Sequence, residues 1–266
     1  GKDYTWATQQ EVDYFSSLGM NAIRVPFLWE RIQPIASGEL DLAYSNNLVS
    51  LISYITSKGV TAIVDPHNYA RYYGHVVGQS GSGVSAADLA NLWVRLSTLP
   101  TLINNDKVVF AIMNEPNTMK TEDWVNDANA VAAAIRGAGA NNTLTIPGNA
   151  WTGAHSWTEN WYGTSNSVAM LHFKDPAHNF VFEVHQYLDS DASGTSPDCK
   201  SATTGSQQLA DFTAWCKTNN FRAFLGEFGA GNNPTCQSAV ADMLTYMENN
   251  RDVYWGWTWW AGGPWR

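Results

Sequence analysis

The chain has 266 residues, a formal net charge of -9, a charged fraction of 15% and a hydrophobic fraction of 44%. That length suits one α/β barrel or two small domains, and the apolar content supports a large core, so disordered and coiled-coil classes are excluded. The acidic residues are scattered and no basic face balances them, which excludes binding to nucleic-acid phosphates. No apolar run approaches the roughly 18 residues that a membrane span needs.

The elements alternate along the chain. Thr8-Gln9-Gln10-Glu11 is a capping box, followed by Val12, Phe15 and Leu18 at helical spacing and Gly19 as a stop. The apolar run Asn21-Ala22-Ile23-Arg24-Val25-Pro26-Phe27 reads as a strand. Leu48, Leu51, Ile52 and Ile55 mark a helix stopped by Gly59, and 60–65 is the second strand. Ser85 and Asp88 cap a helix carrying Leu89, Leu92, Trp93 and Leu96, which Pro100 ends. Further strands are expected at 108–113, 143–147, 180–184, 223–226 and 253–259, with helices near 121–138, 205–218 and 235–249. Between 150 and 178 the periodicity dissolves into Trp-, Gly- and Asn-rich irregular structure.

Strands that are apolar on both faces and separated by helices imply a parallel sheet covered on both sides. No linker or repeat divides the chain, so one domain over 1–266 is expected. A closed (β/α)8 TIM barrel has eight strands and eight helices. Only seven strands are visible, so the first strand and the last helix are expected to be absent. An open doubly wound sheet is the alternative, but the glycine-rich phosphate loop it needs after its first strand does not appear.

Thirteen tryptophans point to several that line a surface rather than fill a core. Indole faces suit the axial C–H groups of pyranose rings, so a sugar ligand is suggested. The three cysteines leave either one free thiol or three. Cys216 lies in a helical stretch and reads as a small buried hydrophobe. Cys199 and Cys236 read as loop residues, where a disulfide would suit an oxidising compartment. Asn141-Asn142-Thr143 is a glycosylation sequon, again compatible with secretion.

Polar and aromatic residues gather at the C-terminal ends of the strands, where a barrel builds its active site. In chain order they are Arg24, His67 and Asn68, Asn114 and Glu115, Trp151, His185 and Tyr187, Glu227, and Trp260. Each has a bland explanation alone; seven strand ends offering such groups together do not. Glu115 and Glu227 supply the pair that glycoside hydrolysis requires, one to protonate the leaving oxygen and one to attack the anomeric carbon. The acid must hold a proton while the nucleophile stays ionised. Metal ligation by His67, His185, Glu115 and Glu227 is the rival reading. It lacks a His-x-His pair or a closely spaced carboxylate triplet, so neither metal nor cofactor is expected.

With these motifs the sequence resembles the family 5 glycoside hydrolases, specifically the fungal endo-β-1,4-glucanases. The likeness runs from Tyr4-Thr5-Trp6 to Gly263-Pro264-Trp265. It is carried by Asn21 to Pro26, Asp65-Pro66-His67-Asn68, Asn114-Glu115-Pro116, His185-Gln186-Tyr187-Leu188-Asp189, Gly226-Glu227-Phe228-Gly229 and Trp259-Trp260. The resemblance implies Glu115 as acid/base, Glu227 as nucleophile and Asn114 as the contact to the sugar 2-hydroxyl. It implies Arg24 and Tyr187 as partners of the nucleophile, and His67 and His185 as substrate- and acid-positioning residues. Asn68, Trp151 and Trp260 are expected to touch substrate. His155 stands where related enzymes carry another stacking Trp, which implies a weaker subsite. Cys199 and Cys236 match a disulfide pair, leaving Cys216 alone. The implied protein is a secreted monomer acting on β-glucan or cello-oligosaccharides, with mannan or mixed-linkage glucan as alternative substrates and a non-catalytic sugar-binding barrel as the alternative of another class.

Overall fold

The computed structural model describes residues 4–262, so the Gly263-Pro264-Trp265 part of the resemblance lies outside the described residues. The elements run in chain order as α1 (Gln9–Ser17), β1 (Ala22–Phe27), α2 (Trp29–Ile32), α3 (Leu42–Ser57) and β2 (Thr61–Pro66). A two-stranded ribbon, β3 (Arg71–Tyr72) with β4 (His75–Val76), precedes α4 (Ala86–Ser97), β5 (Val108–Ala111), α5 (Thr121–Gly137) and β6 (Leu144–Pro147). The remainder is α6 (Asn166–Ala169), β7 (Phe180–His185), α7 (Thr204–Asn219), β8 (Ala223–Glu227), α8 (Pro234–Asn249) and β9 (Tyr254–Trp257).

The seven strands expected from periodicity form one parallel sheet in the order β1-β2-β5-β6-β7-β8-β9, seven strands of a (β/α)8 barrel. The helix boundaries follow their caps. Thr8 and Glu11 satisfy each other's backbone N–H groups at the start of α1, and Ser85 and Asp88 do the same for α4. Asn233 caps α8 behind a proline in its first turn. Periodicity misses the single-turn helices α2 and α6 and the β3–β4 ribbon, which are too short to show a period. The strand expected at 108–113 leaves the sheet after Ala111, and Asn114 N–H then bonds Pro66 O at 3.0 Å.

The two-residue repeat of the strands places the site. Ile63, Val109, Ala111, Val181 and Phe224 form a small apolar cluster of their own, separate from the main core. The alternate residues Ala62, Val64, Val108, Phe110 and Phe182 pack into that larger core. Two residues further on from Ile63 and Val181, the same face carries Asp65 and Glu183, and then His185. A polar layer therefore sits on an apolar floor. A register shift at Val184 and His185 sets His185 opposite Glu227 on β8.

Candidate active site

Arg24 sits among the charged groups of this layer. Its Nη1 donates to Glu227 Oε1 at 2.5 Å and its Nη2 to Asn114 Oδ1 at 2.7 Å. Asp65 Oδ2 lies 3.1 Å and Glu183 Oε1 3.5 Å from the same Nη2, and all four of these side chains are buried. Tyr187 Oη donates to the other oxygen of Glu227 at 3.0 Å. Burial alone would raise the Glu227 pKa, but the fields of His185, Arg24 and His67 and the Arg24 hydrogen bond hold it down at about 2. Burial and the adjacent Glu227 push the Tyr187 phenol well above its ordinary range, so it remains a proton donor.

His185 joins the two halves of the site. Burial opposes its protonation, yet Glu227, Glu115 and Glu183 raise its pKa to about 10. As an imidazolium it donates Nδ1–H to Glu115 Oε1 at 2.7 Å and Nε2–H to Glu183 Oε1 at 3.1 Å. Glu183 is held in the ionised form against its burial by Arg24 and His185, and also accepts from the Thr145 hydroxyl. Gly226 makes room for it, since a Cβ there would stand 2.2 Å from Glu183 Oε1. A carboxylate oxygen of Glu115, one of Glu227 and a ring nitrogen of His185 all lie within 4.8 Å of one another.

That spacing would also admit a divalent ion. The ion would, however, stand beside the Arg24 guanidinium on Glu227 and beside a protonated His185, where like charges repel. Arg24 and His185 already supply the positive charge that the carboxylates require.

Glu115, Glu227, His67, Tyr69, Tyr187 and Trp260 line a cleft of about 600 Å³, whose further wall is the loop at 188–199 and Gly229 to Gly231. His67 Nδ1 is 2.9 Å from Asp65 Oδ2, and its ring lies flat against Trp260 at 5.1 Å and 6°. Glu115 has a left-handed backbone, φ 43°, with its carbonyl accepting from Asn117 Nδ2 at 3.0 Å. Asn114 Oδ1 is committed to Arg24, so the buried Nδ2, which has no protein partner, remains as its donor. Trp151 is 42% exposed and is not part of the cleft lining; its N–H bonds Pro116 O at 3.0 Å, which sets it beside the Glu115 loop. His155 packs edge-on to the exposed Trp161 and bonds Gln186.

Asn68 is a correction. Its side chain is buried and does not face the cleft: Oδ1 accepts from Trp29 N–H at 2.7 Å, and Nδ2 donates to Glu30 at 2.5 Å. Both ends of the amide hold α2 against the end of β2, and the side chain is not among those lining the cleft. Sequence reasoning also missed two buried acids, Asp65 and Glu183. Their signal was available: each is a lone carboxylate inside an otherwise apolar strand, in phase with His67 and His185 respectively.

The disulfide links Cys199 to Cys236, with Cys216 buried and free. Cys236 proves to lie in the first turn of α8 rather than in a loop.

Residues 1–263 match the profile of the cellulase family, glycosyl hydrolase family 5. The chain belongs to this family. Among its relatives is the endo-β-1,4-glucanase B of Aspergillus niger, 39% identical over 266 residues, which span all of this chain and 76% of that one. The solved endo-β-1,4-glucanase of Xanthomonas axonopodis pv. citri superposes with a TM-score of 0.96 at 44% identity, covering 99% of this chain and 82% of that one. XacCel5A, solved in complex with cellopentaose, gives 0.96 at 46% identity over 100% of this chain and 83% of its own.

Proposed function

We propose that this chain is a retaining endoglucanase that hydrolyses internal β-1,4-glucosidic bonds of cellulose and related β-glucans, with Glu227 as nucleophile and Glu115 as acid/base. The observation that carries the reading is the carboxylate pair, whose oxygens approach within 4.8 Å. Double displacement uses carboxyl groups roughly 5–5.5 Å apart, whereas inversion needs about 6.5–9.5 Å to admit a water between them. Membership of glycosyl hydrolase family 5 and the endoglucanases among the relatives support β-1,4-glucan as the substrate.

The low pKa of Glu227 supports its part in these roles. Glu227, ionised down to about pH 2, attacks the anomeric carbon as Glu115 passes its proton to the departing glycosidic oxygen. A glycosyl ester forms on Glu227. Glu115, now a carboxylate, takes a proton from water, which attacks the same carbon, breaks the ester and restores both groups. Arg24 and Tyr187 aim the two oxygens of Glu227. Asn114 Nδ2 is the donor for the sugar 2-hydroxyl, a bond that strengthens as charge develops on the ring. Trp260 supports the sugar at the cleavage point and Trp151 the leaving-group side. The enzyme acts on β-glucan and cello-oligosaccharides as an extracellular monomer, a setting that suits its disulfide.

The test is kinetic. Glu227→Gln should lose activity on every substrate, by about 10⁴-fold or more. Glu115→Gln should keep near-normal glycosylation of aryl cellobiosides with good leaving groups while failing on cello-oligosaccharides. Equal losses on the aryl substrate, or an initially inverted α-product, would refute the assignment.

A further inference from the structure

The loop after Tyr187 is wound around one carboxylate. Asp189 is 3% exposed; its Oδ1 accepts from Gly194 N–H at 2.9 Å, and its Oδ2 from Thr195 N–H, Ser196 N–H and the Ser193 hydroxyl, each at 3.1 Å. Four donors on one ionisable group fix the loop without any regular secondary structure. The loop is pinned at its far end as well. Asn233 Nδ2 donates to Pro197 O at 2.9 Å, and Pro197 lies so close over Gly231 that a Cβ there would stand 1.9 Å from its carbonyl oxygen. Cys199 then ties the loop to α8.

This winding presses Gly194 onto the ring of Tyr187. Gly194 has φ +73°, and a Cβ on it would come within 2.6–2.9 Å of three ring carbons, Cδ1, Cγ and Cε1. Gly229 approaches the same ring, with a Cβ there standing 3.5 Å from Cε1. The ring is thus confined by backbone contributed by two loops, and its hydroxyl is the donor to Glu227 Oε2 at 3.0 Å. The carboxylate of Asp189 makes no contact with Glu227; its influence runs through the glycine and the ring.

We infer that Asp189 is a positioning residue for the nucleophile, holding Gly194 against Tyr187 so that the phenol stays on Glu227. The inference rests on the assignment of Glu227 as nucleophile. A displacement of about 1 Å at such a contact lowers the rate by about 10²-fold. Tyr187→Phe removes the bond itself, so once it is gone the clamp has little left to position.

The experiment is a double-mutant cycle with kcat/KM on cellopentaose, joined to ring dynamics of ¹³C-labelled tyrosine, with Tyr187 assigned by its loss in Tyr187→Phe. Asp189→Ala should cost about 10²-fold in the parent chain and no more than about twofold in the Tyr187→Phe background. Asp189→Asn, which retains one acceptor oxygen, should fall between. The Tyr187 ring should flip slowly in the parent and fast in Asp189→Ala. Equal losses in both backgrounds, a lowered melting temperature without coupling, or unchanged ring flipping would overturn the inference. Should the parent chain hydrolyse no β-1,4-glucan, the functional reading falls, and the ring dynamics still decide whether the clamp exists.

Discussion

Asp127, on α5, is buried at 5% exposure, and its Oδ2 has no hydrogen-bond partner. Gly78 closes over it with φ +70°, and a Cβ there would come within 2.7–2.8 Å of both carboxylate oxygens. Burial, aided by the charge of Asp123, raises its pKa from 3.8 to about 7. The acid is therefore harder to ionise in the folded chain than in the unfolded one, so its ionisation opposes folding. The penalty is absent below about pH 4, grows between about pH 4 and pH 7, and is complete above that. At about 1.4 kcal/mol for each pKa unit, ionising it in the folded chain costs on the order of 4 kcal/mol at pH 8. Asp127→Asn has nearly the same shape and does not titrate, so any packing or hydrogen-bond cost of the amide enters equally at every pH. Relative to the parent, the variant should gain about 4 kcal/mol between pH 4 and pH 8, read by urea unfolding at the two pH values. In thermal unfolding the gain corresponds to about 8 °C for a chain of this size. Melting curves of parent and variant that run parallel from pH 4 to pH 8 would refute the reasoning.

Glu183→Gln removes a negative charge from both Arg24 and His185; the His185 pKa should fall from about 10, as followed by histidine NMR, and kcat should drop by about 10²-fold. Because the folded His185 pKa is raised, its contribution to stability is full below about pH 6.5 and lost as pH climbs towards 10, and the variant should lose it at lower pH. The Cys199–Cys236 bridge spans 37 residues, so replacing both cysteines by serine should cost about 4 kcal/mol of stability. Burial pushes the Cys216 thiol up to about 12, so it should react with a thiol reagent only on unfolding, at one equivalent per chain.

The barrel strands were legible because each is apolar on both faces, and the long helices because their caps stand in the sequence: Thr8 with Glu11, and Ser85 with Asp88. The candidate site was legible as strand-end polar groups, since parallel topology brings all such ends to one mouth. Asn68 shows where that logic stops. It lies at a strand end like its neighbour His67, but the residues that claim its amide, Trp29 and Glu30, sit on a one-turn helix with no periodic signal. Asp65 and Glu183 were passed over for the opposite reason: they lie within strands, and only the folded sheet brings them to Arg24, Asp65 from the adjacent strand and Glu183 from a distant one. The Asp189 winding was invisible for a third reason. Three of its four partners are backbone N–H groups, which every loop of that length possesses.

Arg24 faces more carboxylates than pairing with Glu227 alone would require. In the proposed mechanism Glu227 becomes a glycosyl ester and ceases to be an anion, and a guanidinium paired with it alone would then be an uncompensated charge in a dry interior. Here Asp65 at 3.1 Å and Glu183 at 3.5 Å still face Arg24 through that stage. The buried cation is thus neutralised in the acylal-like intermediate as well as before it. On that mechanism, the carboxylate released by the second step returns to a guanidinium already flanked by two other acids.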